Sequence, residues 1–174
     1  AEHSGDSHGA ALAKRLRELE PDIVLEGVGG PLMEAAGVKV HLDMVENAAM
    51  GLIPVLKKLP YFVGALKETA LRLKECSPDV FVPIDSPDFN LRISRRIRKT
   101  GIKTCYYVSP QVWAWQLWPG RIRRVARLVD HMMVLFPFEK ALYDQVNLPC
   151  TFVGHPLFDE LRTRRSSPAF RDGL

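Results

Sequence analysis

Apolar runs of strand length alternate along this chain with segments of helical period, and the connections between them are short. The strand-like runs are residues 22–28, 38–42, 79–84, 102–108, 131–135 and 150–153. Apolar residues at helical spacing fill the intervals 9–19, 32–36, 52–75, 87–99, 119–128 and 138–146. A helix between successive strands is the crossover that parallel strands need. The pattern therefore predicts an α/β fold, a doubly wound parallel sheet with helices on both faces. Punctuation agrees: Gly29, Gly30 and Pro31 break the chain after the first run, Gly37 stops a short helix, and Gly101 closes a basic one. Pro54 suits a first helical turn, whereas Pro60 should kink or divide the long segment 52–75.

The chain has 174 residues, enough for one domain with a core of its own. A net charge of +4 is compatible with anionic lipid, nucleotide or nucleic acid and selects none of them. Cys76, Cys105 and Cys150 stand far apart, with neither metal nor disulfide spacing, which favours a reducing compartment. No apolar run reaches the roughly 18 residues of a membrane span, and no signal peptide is visible. Residues 1–6 read as a loop feeding a helix. In doubly wound folds such a loop follows a central strand, so the expectation is a domain lacking its first strand. Residues 1–161 form that domain in this reading, and 162–174, rich in arginine and serine, a linker towards a further domain.

Chemistry-bearing residues gather where strands end. Ser4, Gly5 and Asp6 should lie at a helix N-terminus, as a cap or as an anion site. His3 and His8 near Asp6 have no metal-ligand pattern. Ser86 reads as an N-cap with Pro87 at the first helical position, and Asp88 complements the helix dipole. Asp85 has no such role. It ends an apolar run expected to be buried on both faces, at the carboxyl edge where such folds bind ligands, and needs either a partner or a function. Trp113, Trp115 and Trp118 cluster beside Ser109 and Gln111, either to plug the core or to face a ligand or interface. Residues 52–67 carry more apolar groups than one buried stripe needs, flanked by Lys57, Lys58 and Lys67. That composition suits an interfacial segment or a core helix with a solvated lysine face. The basic stretches 92–99 and 121–127 have helical spacing and no nucleic-acid module around them.

Several strings together resemble the lipid-A-disaccharide synthase family. They are Glu2-His3-Ser4-Gly5-Asp6, Met50-Gly51, Ile84-Asp85-Ser86-Pro87-Asp88-Phe89-Asn90, Tyr107-Val108-Ser109-Pro110-Gln111-Val112-Trp113-Ala114-Trp115, Pro137-Phe138-Glu139-Lys140 and Gly154-His155-Pro156. Ala1 and His3 stand where the family's opening motif has a glycine and a small residue. The resemblance implies the N-terminal, acceptor-binding, Rossmann-like half of a GT-B glycosyltransferase. Such an enzyme joins UDP-2,3-diacylglucosamine to 2,3-diacylglucosamine 1-phosphate with release of UDP, in lipid A biosynthesis. It implies Asp85 as the catalytic base on the acceptor hydroxyl, and Glu2, Ser4, Gly5, Met50, Gly51, Asn90, Ser109, Gln111 and Trp115 as substrate contacts. An acylated substrate turns the choice for residues 52–67 towards membrane contact, through Leu52, Val55, Leu56, Lys57, Lys58, Tyr61 and Phe62. No metal or other cofactor is expected, and no nucleic acid. The expected partners are the two lipid substrates and an anionic membrane surface, with a homodimer admissible. The expected location is the bacterial cytoplasm, on the inner face of the cytoplasmic membrane. This segment alone should be inactive, since the donor is held mainly by the other half. The rival readings are another GT-B enzyme, such as a UDP-sugar 2-epimerase, or a non-catalytic basic membrane-binding module.

Overall fold

A computed structural model describes residues 3–44, 52–111, 120–156 and 158, with the backbone alone for 52–59. Among the described residues the elements in chain order are α1 (His3–Leu19), β1 (Glu26–Gly29), α2 (Pro31–Ala35), β2 (Lys39–Asp43), α3 (Leu52–Cys76), β3 (Val80–Phe81), α4 (Pro87–Ile97), β4 (Lys103–Tyr107), α5 (Arg121–Ala126), β5 (His131–Val134), α6 (Pro137–Asp144) and β6 (Cys150–Phe152). Every strand pair is parallel. The α/β alternation and the parallel sense are those expected. The strands nevertheless form two sheets, β1-β2 and β3-β4-β5-β6, in place of one.

A further expectation is corrected. The run 79–84 contributes only two ladder residues, and Val80 is 49% exposed, so this strand is not buried on both faces. Pro83 has no N–H with which to continue a ladder. Its carbonyl accepts the Tyr107 N–H at 2.8 Å, and pairing resumes at one bridge, Ile84 to Tyr107. Of the alternatives open for residues 52–75, the single long helix is the one formed: α3 continues through Pro60.

Three clusters make up the core. Tyr106, Val125, Val129, Met132, Val134, Tyr143 and Leu148 pack β4 and β5 against the region of α5 and α6. Met44, Ala65, Leu66, Ala70, Phe89 and Ile93 join α3 to α4, with Val28, Leu42 and Phe81 of three strands against them. Ala10, Ala13, Ala36 and Val38 seat α1 on α2. Met33 explains two glycines there: a Cβ on Gly9 would lie 2.6 Å from its sulfur, and one on Gly29 2.4 Å. The thioether fills the space those two residues leave, so α1, α2 and β1 approach closely.

Candidate active site

The carboxyl ends of the parallel strands converge on the first turns of α1. After β3 comes Asp85, whose carboxylate meets the Ser4 hydroxyl at 3.4 Å, a long contact. The Cβ position of Gly5 lies 3.9 Å from the Ile84 carbonyl, so the helix start rests on the same turn. At the end of β4, the Tyr107 ring meets His8 edge-on at 5.8 Å. Beyond β6, His155 faces His8 at 6.1 Å. Phe136, just after β5, packs by His155 at 6.2 Å and stacks on Phe138 at 5.7 Å. Phe136, Phe138 and Phe158 all remain largely exposed, which gives this edge an aromatic wall beside its polar groups.

Asp85 stands on a strained backbone. Its φ of 49° and the 41° of Ser86 place two successive non-glycine residues in the left-handed region, at a cost of order 1–3 kcal/mol each. Val108, at the end of the neighbouring strand, has φ 64°, a conformation that a β-branched residue rarely adopts. Strain of this kind concentrates where a fold must aim a side chain rather than relax it. Asp85 is half-buried and its side chain opens towards α1.

His8 is a titrating group that feels this carboxylate. Burial holds its pKa below the usual histidine value, the neighbouring His155 lowers it further, and Asp85 acts in the opposite sense. Burial also raises the pKa of the Tyr107 phenol. An imidazole kept neutral near pH 7 offers one donor and one acceptor beside an acid.

The residues named from the sequence separate into groups. Ser4, Gly5 and Asp85 come together as expected. Residues 3–6 are already helical rather than a loop. Asp6 does cap a helix, but the helix is α2: its buried carboxylate accepts the N–H groups of Gly30, Leu32 and Met33 at 2.9, 3.0 and 3.0 Å. Ser86 makes no side-chain cap hydrogen bond, and its backbone is left-handed where a capping residue is ordinarily extended. Asn90 faces its own turn, donating to the carbonyls of Ile84 and Asp85. Ser109 is buried and donates to Glu139 at 2.7 Å, while Glu139 also accepts the Phe136 N–H at 3.1 Å. Gln111 is exposed. Tyr61 and Phe62, expected at a membrane, turn inward instead: Tyr61 donates to the Asp43 carbonyl at 3.0 Å, and Phe62 packs edge-on to Phe89 at 5.5 Å. Packing against α4 outweighs exposure for Phe62, and a hydrogen bond to the end of β2 does so for Tyr61. Glu2, Met50, Gly51, Trp113, Trp115, Trp118 and the tail 162–174 lie outside the described residues, as do the side chains of Leu52, Val55, Leu56, Lys57 and Lys58. Tyr107 and His155 lie in the quoted strings without a role of their own, and His8 was weighed only as a metal ligand. A groove of about 360 Å³ along α3, lined by Lys67, Leu71 and Arg72 among others, belongs to one exposed helix face and brings no such groups together.

Comparison with known proteins decides the family. The family model described as lipid-A-disaccharide synthetase matches residues 1–174. The chain belongs to the lipid-A-disaccharide synthetase family. Among similar curated proteins, the lipid-A-disaccharide synthase of Alkalilimnicola ehrlichii is 44% identical over 173 residues, which is 99% of this chain and 45% of that protein. The enzyme of the same name from Serratia proteamaculans is 42% identical over 173 residues, with the same coverage of 99% and 45%. That of Coxiella burnetii is 46% identical over 156 residues, 90% of this chain and 41% of that protein. The chain thus spans less than half the length of these synthase relatives. Its α/β architecture with parallel strands is consistent with a Rossmann-like half of a GT-B synthase.

Proposed function

We propose that this chain is the acceptor-binding part of a lipid-A-disaccharide synthase, residues 1–161 forming the domain and 162–174 leading out of it. The acceptor is 2,3-diacylglucosamine 1-phosphate and the donor UDP-2,3-diacylglucosamine. The acceptor hydroxyl attacks the donor's anomeric carbon, the bond to UDP breaks with inversion, and Asp85 takes the hydroxyl proton. One observation carries this reading. In a chain of this family, an acid sits on a strained turn at the carboxyl edge, its side chain opening towards Ser4 and the first turn of α1. The exposed rings of Phe136, Phe138 and Phe158 supply an apolar wall suited to an acylated sugar. The family match gives no support to an epimerase or to a non-catalytic module.

The test is turnover of the two lipid substrates by the full-length polypeptide. Asp85→Asn keeps size and most hydrogen bonding while removing the base, so kcat should fall at least about 10²-fold with little change in thermal midpoint. Asp88 is exposed in the first turn of α4, and Asp88→Asn should cost only a few tenths of a kcal/mol of stability. Near-normal turnover by Asp85→Asn, or loss only through unfolding, makes Asp85 a structural residue.

The same reading places the protein peripherally on the inner face of a bacterial cytoplasmic membrane, held by the start of α3 through Leu52, Val55, Leu56, Lys57 and Lys58. Among the described residues no helix is long and apolar enough to cross a membrane.

A further inference from the structure

The strained turn at Asp85 needs an external hold, because both left-handed residues would relax without one. Four backbone bonds supply it. The Asp85 N–H donates to the Tyr107 carbonyl at 3.0 Å. The Asp85 carbonyl accepts the Tyr106 hydroxyl at 2.6 Å and the Asn90 amide at 2.7 Å. The same Asn90 amide donates to the Ile84 carbonyl at 2.9 Å. With both its N–H and its carbonyl fixed, Asp85 has its φ and ψ set, and with them the direction of its Cα–Cβ bond.

Tyr106 is fully buried. Successive residues of a strand point to opposite faces. So the Tyr107 ring goes to α1, while Tyr106 enters the core cluster with Met132 and Tyr143. Only the tip of its side chain leaves that apolar setting, and it ends on the Asp85 carbonyl. Burial raises the phenol's pKa far above its ordinary value, so the hydroxyl stays a donor throughout the working pH range. A core position could be filled by phenylalanine, and here the hydroxyl is used on one atom of the catalytic turn.

We propose that Tyr106 is a positioning residue for Asp85: its hydroxyl, with the Asn90 amide, clamps the Asp85 carbonyl and so holds the left-handed turn that aims the carboxylate at the acceptor. This rests on Asp85 being the base. Released from the clamp, the turn relaxes towards an ordinary conformation, and the carboxylate moves with it. A displacement of about 1 Å at a reacting group costs about 10²-fold in rate.

Tyr106→Phe in the full-length polypeptide tests this, since the ring stays and only the donor goes. The expected result is a loss of about 10- to 100-fold in kcat with KM unchanged. Asn90→Ala withdraws the other donor from the same carbonyl and should give the same selective loss, which keeps the test open if one variant folds poorly. The deciding measurement is Tyr106→Phe placed on Asp85→Asn: with no base left to aim, the second substitution should lower kcat no further. If it lowers kcat by the same factor in both backgrounds, or if either variant changes KM instead of kcat, the hydroxyl does not act through Asp85 and the inference fails. If Asp85→Asn itself retains turnover, it is the assignment of the base that falls, a result distinct from the first.

Discussion

Replacing Asp6 tests whether the buried carboxylate holds α2 in place. Asp6 is wholly buried and accepts three N–H groups. In Asp6→Ala all three lose their acceptor. Gly30 is buried, so its N–H cannot turn to water and costs about 1–3 kcal/mol on its own. Leu32 is 42% exposed and recovers most of its loss from solvent, while Met33 lies between. A total of about 3 kcal/mol is expected. At a urea m-value of about 2 kcal/mol/M, that lowers the unfolding midpoint by about 1.5 M. Asp6→Asn should be milder for a geometric reason. Gly30 and Met33 share Oδ1, and Leu32 alone uses Oδ2. An asparagine with its oxygen at the Oδ1 position keeps two bonds and loses only the one nearest water, for about 1 kcal/mol. Asp144→Ala, which breaks an exposed ion pair with Lys140, serves as control at under about 0.5 kcal/mol. If Asp6→Ala matches that control, or Asn costs as much as Ala, the cap does not work as described.

Two other outcomes follow from the structure. Because the folded state holds the His8 pKa below its unfolded value, the unfolded chain binds more protons between those two values. The His8 contribution is therefore favourable to unfolding as pH falls through the unfolded value near 6.5, and levels off below the folded one; the wild-type minus His8→Gln difference in urea midpoint should slope that way, and a flat difference removes the effect. Lys57→Glu with Lys58→Glu should weaken co-sedimentation with anionic liposomes by about 1 kcal/mol per lysine at low salt, and unchanged binding would move the membrane surface elsewhere.

The fold was legible in the sequence to the extent that it follows from periodicity. Alternation of strand and helix gave the class and the element order, since burial of one face sets the spacing locally. Whether strands join one sheet or two depends on contacts distant in sequence, and no local pattern carries that. The run ending at Asp85 read as a long buried strand because valines and an isoleucine look alike in a ladder or out of one; Pro83 was the available signal. Asp6 showed its chemistry, a carboxylate for helix N–H groups, but not its address, 24 residues away at Gly30. Composition left Tyr61 and Phe62 open and the acylated substrate implied by the resemblance turned them outward, whereas Phe89 of α4 and the Asp43 carbonyl, both distant in sequence, turn them in. Tyr106 gave no signal at all. A tyrosine in a strand is ordinary, and its hydroxyl matters only because Asp85 stands at its tip.

The first turns of α1 tie these observations together. Ser4 and Asp6 are two residues apart, hence about 200° around the helix at 3.6 residues per turn, and they face opposite ways. Asp6 reaches to α2 on the β1-β2 side, whereas Ser4 reaches to Asp85 on the side of the four-stranded sheet. Gly5, between them, keeps the backbone close to the Ile84 carbonyl, and His8, one turn on from Ser4, sets its ring against Tyr107. A single short stretch thus braces the two sheets at their carboxyl ends. Within that brace Asp85 is held through its own main chain, accepting from Tyr106 and Asn90 and donating to the Tyr107 carbonyl. Among the described residues its carboxylate has one hydrogen-bond contact, the long one to the Ser4 hydroxyl. A general base works best when so arranged: the backbone fixed at several points, and the reacting oxygens left lightly bonded for the proton they are to take.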